Sequence, residues 1–256
     1  MEINEHIEAL GREGRLLADA AAVTDLGAPV PTCPGWLLRD LVLHTGQVHR
    51  WATAHVAQAR TEPLDDAGQE AAWGPAPADA ELVGWFRAGH ANLLAALRAA
   101  PAGLDCWTFL PAPSPLAFWA RRQAHETAVH RFDAEAAAGL AGPPAGTGPA
   151  LDGIDELLRA MLVRPRAKLR SERPRTLAVR PTDGPTSWLV TITGGPVTVA
   201  LGDGQAGPAP ADLTLTGPAR DLFLLLWNRL GPEAVGCEGD RTLLDLWRET
   251  AVITWS

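Results

Sequence analysis

The chain has 256 residues, an apolar fraction of 46% and a formal net charge of −8. That length and apolar content suit one large globular domain or two modest ones, and the acidic balance speaks against a nucleic-acid binder, which needs a basic patch or stripe. No run approaches the ~20 consecutive apolar residues of a membrane span, and an N-terminus opening with Glu2, Glu5 and His6 lacks the basic and then apolar pattern of a secretory signal.

Residues 2–25 carry Ile3, Ile7, Leu10, Leu16, Leu17 and Ala20 at helical spacing. After a Pro/Gly segment, 27–35, a second helix is expected to start near Pro34 to Trp36, proline suiting a first helical turn. Its apolar set is Leu37, Leu41, Val42, Val48, Trp51 and Ala52, and it runs to about Arg60. A polar stretch, 61–77, follows. Asp79 then reads as the N-cap of a third helix whose buried stripe is Leu82, Trp85, Phe86, Leu93, Leu94 and Leu97.

Prolines 101, 111, 113 and 115 mark the next loop. Ser114 can cap a fourth helix with Pro115 at its first position, ending near Gly139. Four long helices in succession predict a bundle. Residues 142–148 read as a Pro/Gly linker, so the domains are expected at 1–148 and 149–256.

Asp152 to Val163 reads as a connecting helix, after which the period changes. Residues 176–180, 187–193, 197–201 and 212–216 are short β-type runs between glycines and prolines. Helices follow at 218–230 and 240–249, then a short β-like tail at 251–255. The second half is therefore α+β. The densest basic run, Arg164, Arg166, Lys168, Arg170, Arg173 and Arg175, is broken by Pro165 and Pro174 and reads as a solvated linker. The three cysteines, Cys33, Cys106 and Cys237, are far apart and odd in number. They suggest neither a disulfide framework nor a metal knuckle, which fits a reducing cytosol and a cytoplasmic protein.

Chemistry concentrates on the fourth helix. His125 and His130 are five residues apart, turned roughly 140° from each other, and cannot easily share an ion as the i, i+4 pair of a zincin does. Glu126 and His130 are four apart, roughly 40° around the helix, and can. A third ligand should come from a facing helix, because catalytic zinc usually has three protein ligands and an open position. The second helix offers His44 and His49, again five apart. His44, among Leu41, Val42, Leu43 and Val48, is chosen over His49, which lies beside Arg50 and is expected nearer the polar face. The set is then His44, Glu126 and His130. Spacing leaves the alternatives open: the Glu/His pair also suits a surface hydrogen bond, and His44 a satisfied core histidine. His49 and His125 are read as supporting or structural, and His6, His55 and His90 as surface residues. Trp36, Trp51, Trp85, Trp107 and Trp119 are read as core.

The stretch 30–36, Val-Pro-Thr-Cys-Pro-Gly-Trp, with Arg39 to Trp51, resembles the N-terminal signature of the mycothiol-dependent maleylpyruvate isomerase family, within the DinB-like metal-binding four-helix superfamily. Residues 125–134 resemble its second signature. Residues 212–217, 224–229, 238–240 and 243–247 resemble its C-terminal part, so nearly the whole chain is covered.

The resemblance implies a DinB-like bundle followed by a smaller, sterol-carrier-like α+β domain. It implies a divalent metal, zinc first with iron or nickel as rivals, held by His44, Glu126 and His130. It further implies mycothiol as thiol cofactor and an arginine at the site, best matched by Arg229. Asn228 departs from the glycine more usual before that arginine. A metal-activated thiolate would add to an electrophilic carbon of a small substrate such as an unsaturated acid. Reversible addition gives cis–trans isomerisation; loss of a leaving group gives S-transfer or detoxification. Cys33 is then structural. The expected partners are a small-molecule substrate and a low-molecular-weight thiol, with no nucleic acid and no membrane, in a monomer or homodimer. Two other readings stand beside this one: a non-catalytic protein stabilised by its metal, and a carrier of an apolar ligand built on Leu213, Leu215, Leu222, Phe223 and Leu226.

Overall fold

Local signals set most of the helix ends. The computed structural model describes residues 1–140, 146–203 and 210–253, and the chain divides into two compact units, Met1–Pro143 and Pro144–Ser256. In the first unit the long helices are α1 (Ile3–Ala22), α2 (Leu38–Ala57), α4 (Asp79–Ala99) and α5 (Pro115–Ala138), with a short α3 (Asp66–Trp73) between α2 and α4. No helix among the described residues is long and apolar enough to cross a membrane.

The start of α5 is as the sequence suggests: the Ser114 hydroxyl accepts from the Ala117 amide at 3.1 Å, Pro115 opens the helix, and Gly139 closes it in the left-handed region. Elsewhere the ends differ. Ala78, not Asp79, caps α4, and Asp79 lies in its first turn, paired with Arg39 at 2.9 Å. Helix α2 starts at Leu38 because residues 30–36 fold back on themselves first. The Cys33 amide bonds the Val30 carbonyl, the Trp36 amide bonds that of Cys33, and the Val30 amide bonds that of Trp36. Gly35, at φ 87°, supplies the left-handed residue this turn requires.

Helices α1 and α5 pack along each other, as do α2 and α4. Their core includes Leu17, Ala18, Leu38, Leu41, Val42, Leu82, Phe86 and Ala134. Gly46 lets α2 approach α4 closely, since a Cβ there would run into the Trp85 ring. Helix α5 departs from the usual amphipathic pattern. Its buried residues include Arg122, Gln123, His125, Glu126, Thr127, His130, Arg131, Asp133 and Glu135. Buried charge is costly unless paired, and here pairs are present: Arg131 reaches Glu13 at 3.1 Å and Glu135 at 2.7 Å.

In the second unit α6 (Thr147–Glu156) runs into a wide helical turn, Leu157–Met161. It therefore begins five residues before the expected connecting helix, in what read as linker; the rest of that linker, 142–145, lies outside the described residues. The sheet has the order β3-β2-β1-β4-β5, with strands Arg175–Pro181, Thr186–Ile192, Thr198–Asp203, Leu213–Gly217 and Gly236–Gly239 for β1 to β5. Only β1 and β4 pair in parallel. Helix α7 (Ala219–Leu226) follows β4 and α8 (Thr242–Thr250) follows β5. Leu213, Leu215, Leu222, Phe223 and Leu226 are all buried in this unit's core with Trp188, Leu243 and Trp247. The α+β class is as expected, but residues 251–253 form no strand, and 254–255 lie outside the described residues. The basic run is only partly solvated. Arg175 is buried in β1 and bonds Asp240 at 2.8 Å, while Arg170 bonds the carbonyls of Leu169 and Pro165.

Candidate functional site

Helices α2 and α5 bring His44, Glu126 and His130 together. One ligand atom from each lies within 4.8 Å of the others. Glu126 is the hinge of the group. Its Oε1 is 3.2 Å from Nε2 of His130, one turn along α5, and 3.7 Å from Nε2 of His44 across the helix interface. Its Oε2 accepts from Arg122 at 3.2 Å, one turn the other way. The two carboxylate oxygens are thus divided, one toward the imidazoles and one toward a guanidinium.

His130 carries a second carboxylate. Its Nδ1–H donates to Asp133 Oδ2 at 2.9 Å. The same Asp133 accepts from the Thr32 hydroxyl at 2.5 Å and from the Cys33 thiol at 3.3 Å. Residues 30–36 are thereby tied to α5, and Trp36 is set against the site: its ring is edge-on to His44 at 5.1 Å and stacked toward His130 at 6.5 Å. Trp36 is therefore a half-buried wall of the group; of the tryptophans read as core, Trp119 is fully buried, Trp36 and Trp85 are half-buried and pack against the core, and Trp51 and Trp107 are half-buried.

The electrostatics follow from this packing. Burial pushes the Glu126 carboxyl up, but the hydrogen bonds from His130 and His44 and the nearby Arg122 charge outweigh it, holding the carboxyl well below its usual range. Burial pulls His130 down, but Asp133 and Glu126 more than reverse it, raising it to about 9. A base held between two carboxylates keeps its proton unless something positive replaces it.

His44 and His49 occupy the reverse of their expected surroundings. His44 keeps 26% of its side chain exposed. His49 is fully buried, its Nε2 2.9 Å from the Thr127 hydroxyl and its ring 5.5 Å from that of His90. His6, His55 and His90, expected at the surface, are also buried. His125 meets His6 on another face of α5, rings 5.6 Å apart, as its 140° offset from His130 requires. His90 bonds the Leu10 carbonyl at 3.0 Å, and His55 stacks on Trp119. The supporting residues Arg122, Asp133, Thr32 and Trp36 were missed as such. Asp133, at i+3 from His130, was the detectable one, since that spacing puts a carboxylate beside the ring.

Arg229 lies in the second unit, just past α7. Asn228 before it is left-handed at φ 60°, and the Arg229 guanidinium donates to the Trp227 carbonyl at 2.9 Å. An asparagine tolerates this conformation better than most residues.

Residues 7–135 match the family described as the mycothiol maleylpyruvate isomerase N-terminal domain, and residues 149–246 match the MDMPI C-terminal domain. Two solved structures are similar over 93% of each chain with a TM-score of 0.60: a mycothiol-dependent maleylpyruvate isomerase, at 13% identity, and a histidine-to-alanine mutant of that isomerase, at 14%. At that identity the likeness is one of fold. No curated protein matches the chain.

Proposed function

The chain belongs to the mycothiol maleylpyruvate isomerase family, and on that premise we propose that it is a mycothiol-using enzyme whose site is built on a divalent metal held by His44, Glu126 and His130. The observation that carries this reading is the donor set. Two imidazole nitrogens stand 3.7 and 3.2 Å from one carboxylate oxygen. Ligands about 2.0–2.2 Å from a tetrahedral zinc lie about 3.4 Å from one another. The residues present therefore fit such an ion with little movement. Their composition, two histidines and a glutamate, suits zinc and equally the iron of a two-histidine-one-carboxylate site; zinc is placed first, ahead of iron and nickel, on the resemblance to the family.

A bound ion of this kind supplies Lewis acidity and favours the deprotonated form of a coordinated thiol. Mycothiol supplies the sulfur nucleophile for reversible addition to an electrophilic carbon of a small unsaturated acid, which makes isomerisation the first choice of reaction and S-transfer the second. The chain's own residues do the rest. His130 presents Nε2 because Nδ1 is engaged by Asp133. Glu126 presents one oxygen because Arg122 holds the other. The exposed edge of His44 leaves an approach for ligands, and Trp36 forms an apolar wall that limits water beside the two imidazoles. Arg229 is assigned to an anionic group of thiol or substrate; this assignment rests on the resemblance of residues 224–229 to the family.

Calorimetric titration of mycothiol into zinc-loaded and chelator-treated protein tests the proposal. Binding should require zinc, and Arg229→Ala should weaken it while leaving zinc content unchanged. Mycothiol affinity that ignores the metal would overturn the reading.

A further inference from the structure

We propose that Asp133 is the positioning residue of this site, fixing the tautomer and orientation of His130 and locking the 30–36 loop, with Trp36, against it. The inference rests on the metal reading above and deepens it. Asp133 is fully buried in α5. A buried carboxylate persists only where enough donors repay its lost hydration, and here helix and loop each supply donors, with different jobs. His130 Nδ1–H meets Oδ2, while Thr32 and Cys33 meet Oδ1 and Oδ2 from the loop. One acidic side chain thus joins a candidate ligand to the wall of the site.

The physical consequence is specific. An imidazole offers either nitrogen to an ion, and which one is free depends on the partner of the other. With Nδ1–H donated to Asp133, Nε2 is left for the ion, on the side where Glu126 Oε1 and His44 stand. A carboxylate behind the ring also makes Nε2 the more basic and the better ligand, and loss of such a partner commonly costs 10- to 100-fold in metal affinity. Thr32 and Cys33 in turn hold the carboxylate in the rotamer that faces His130. Cys33 therefore has a place in the site's support without being its nucleophile.

The test is Asp133→Asn, which keeps the shape and removes the charge. Zinc dissociation constants are measured by competition with a chromophoric chelator, and the tautomer of His130 is read from long-range ¹H–¹⁵N spectra of the zinc-loaded parent. The expected result is a constant raised about 10- to 100-fold in Asp133→Asn, with the parent's His130 ligated through Nε2 and protonated at Nδ1. Equal affinity in parent and variant overturns the proposal, as does ligation through Nδ1. The second readout needs no variant and decides the matter if Asp133→Asn does not fold. If the parent itself binds no zinc, the underlying reading of the site fails and this inference with it; if the parent binds and the variant binds equally, only the role of Asp133 fails.

Discussion

Nε2 of His44 lies 3.7 Å from Oε1 of Glu126, joining α2 to α5 at the point where Glu126 also meets His130. Two helices thus share one carboxylate oxygen, and that oxygen sits where a cation would repay the cost of burying it. The consequences reach proton balance, acid stability and helix packing.

Zinc binding should release protons. His130 is raised to about 9, so near pH 7 it carries a proton on Nε2 that an ion must displace. Calorimetry in buffers of different ionisation enthalpy should find about one proton released per zinc at pH 7, falling toward zero above pH 9. No proton release at pH 7 would contradict the placement of His130 among the ligands.

The helical unit should lose stability in mild acid. Burial pulls His55 down to about 4, and burial likewise lowers His49 and His90. The unfolded chain takes up protons near pH 6.5, where these buried rings do not, so stability falls as pH drops from about 6.5 toward 4. Denaturant midpoints across that range should show the slope, and His55→Phe should flatten it. An unchanged slope would assign the effect elsewhere.

Gly46→Ala should destabilise the bundle. Its Cβ would meet the Trp85 ring in the contact between α2 and α4. Overpacking of this kind costs about 1–3 kcal/mol, read as a lowered urea midpoint at unchanged m-value. A neutral effect would show that Trp85 yields freely.

The sequence carried the fold where local chemistry and periodicity agree. Ser114, Pro115 and Gly139 frame α5, and short β-type runs between glycines and prolines mark β1, β2 and β4. It did not reveal α3, which buries none of its residues, or β5, whose Gly236-Cys237-Glu238-Gly239 has no strand pattern and forms by edge pairing with β4. The grouping of Glu126 and His130 follows from helical spacing alone. The burial of His6, His49, His55 and His90 does not, because a histidine's environment depends on what the facing helix presents. Polar partners such as Thr127 for His49 and the Leu10 carbonyl for His90 are invisible along the chain. The role of Trp36 was hidden for a similar reason: a tryptophan after Pro-Gly reads as a helix start, and only the folded 30–36 turn brings its ring to His44.

Metal content is the most direct test of the site formed by His44, Glu126 and His130. Protein purified without a chelating tag should be analysed by mass spectrometry for bound metals, beside His44→Ala, Glu126→Gln and His130→Ala, with circular dichroism to confirm that each variant keeps its helices. About one zinc per chain is expected in the parent, and its loss in all three folded variants. A parent that carries no metal and cannot be loaded, or variants that retain it, would rule out a metal centre at these residues and leave the Glu126–His130 pair a structural contact.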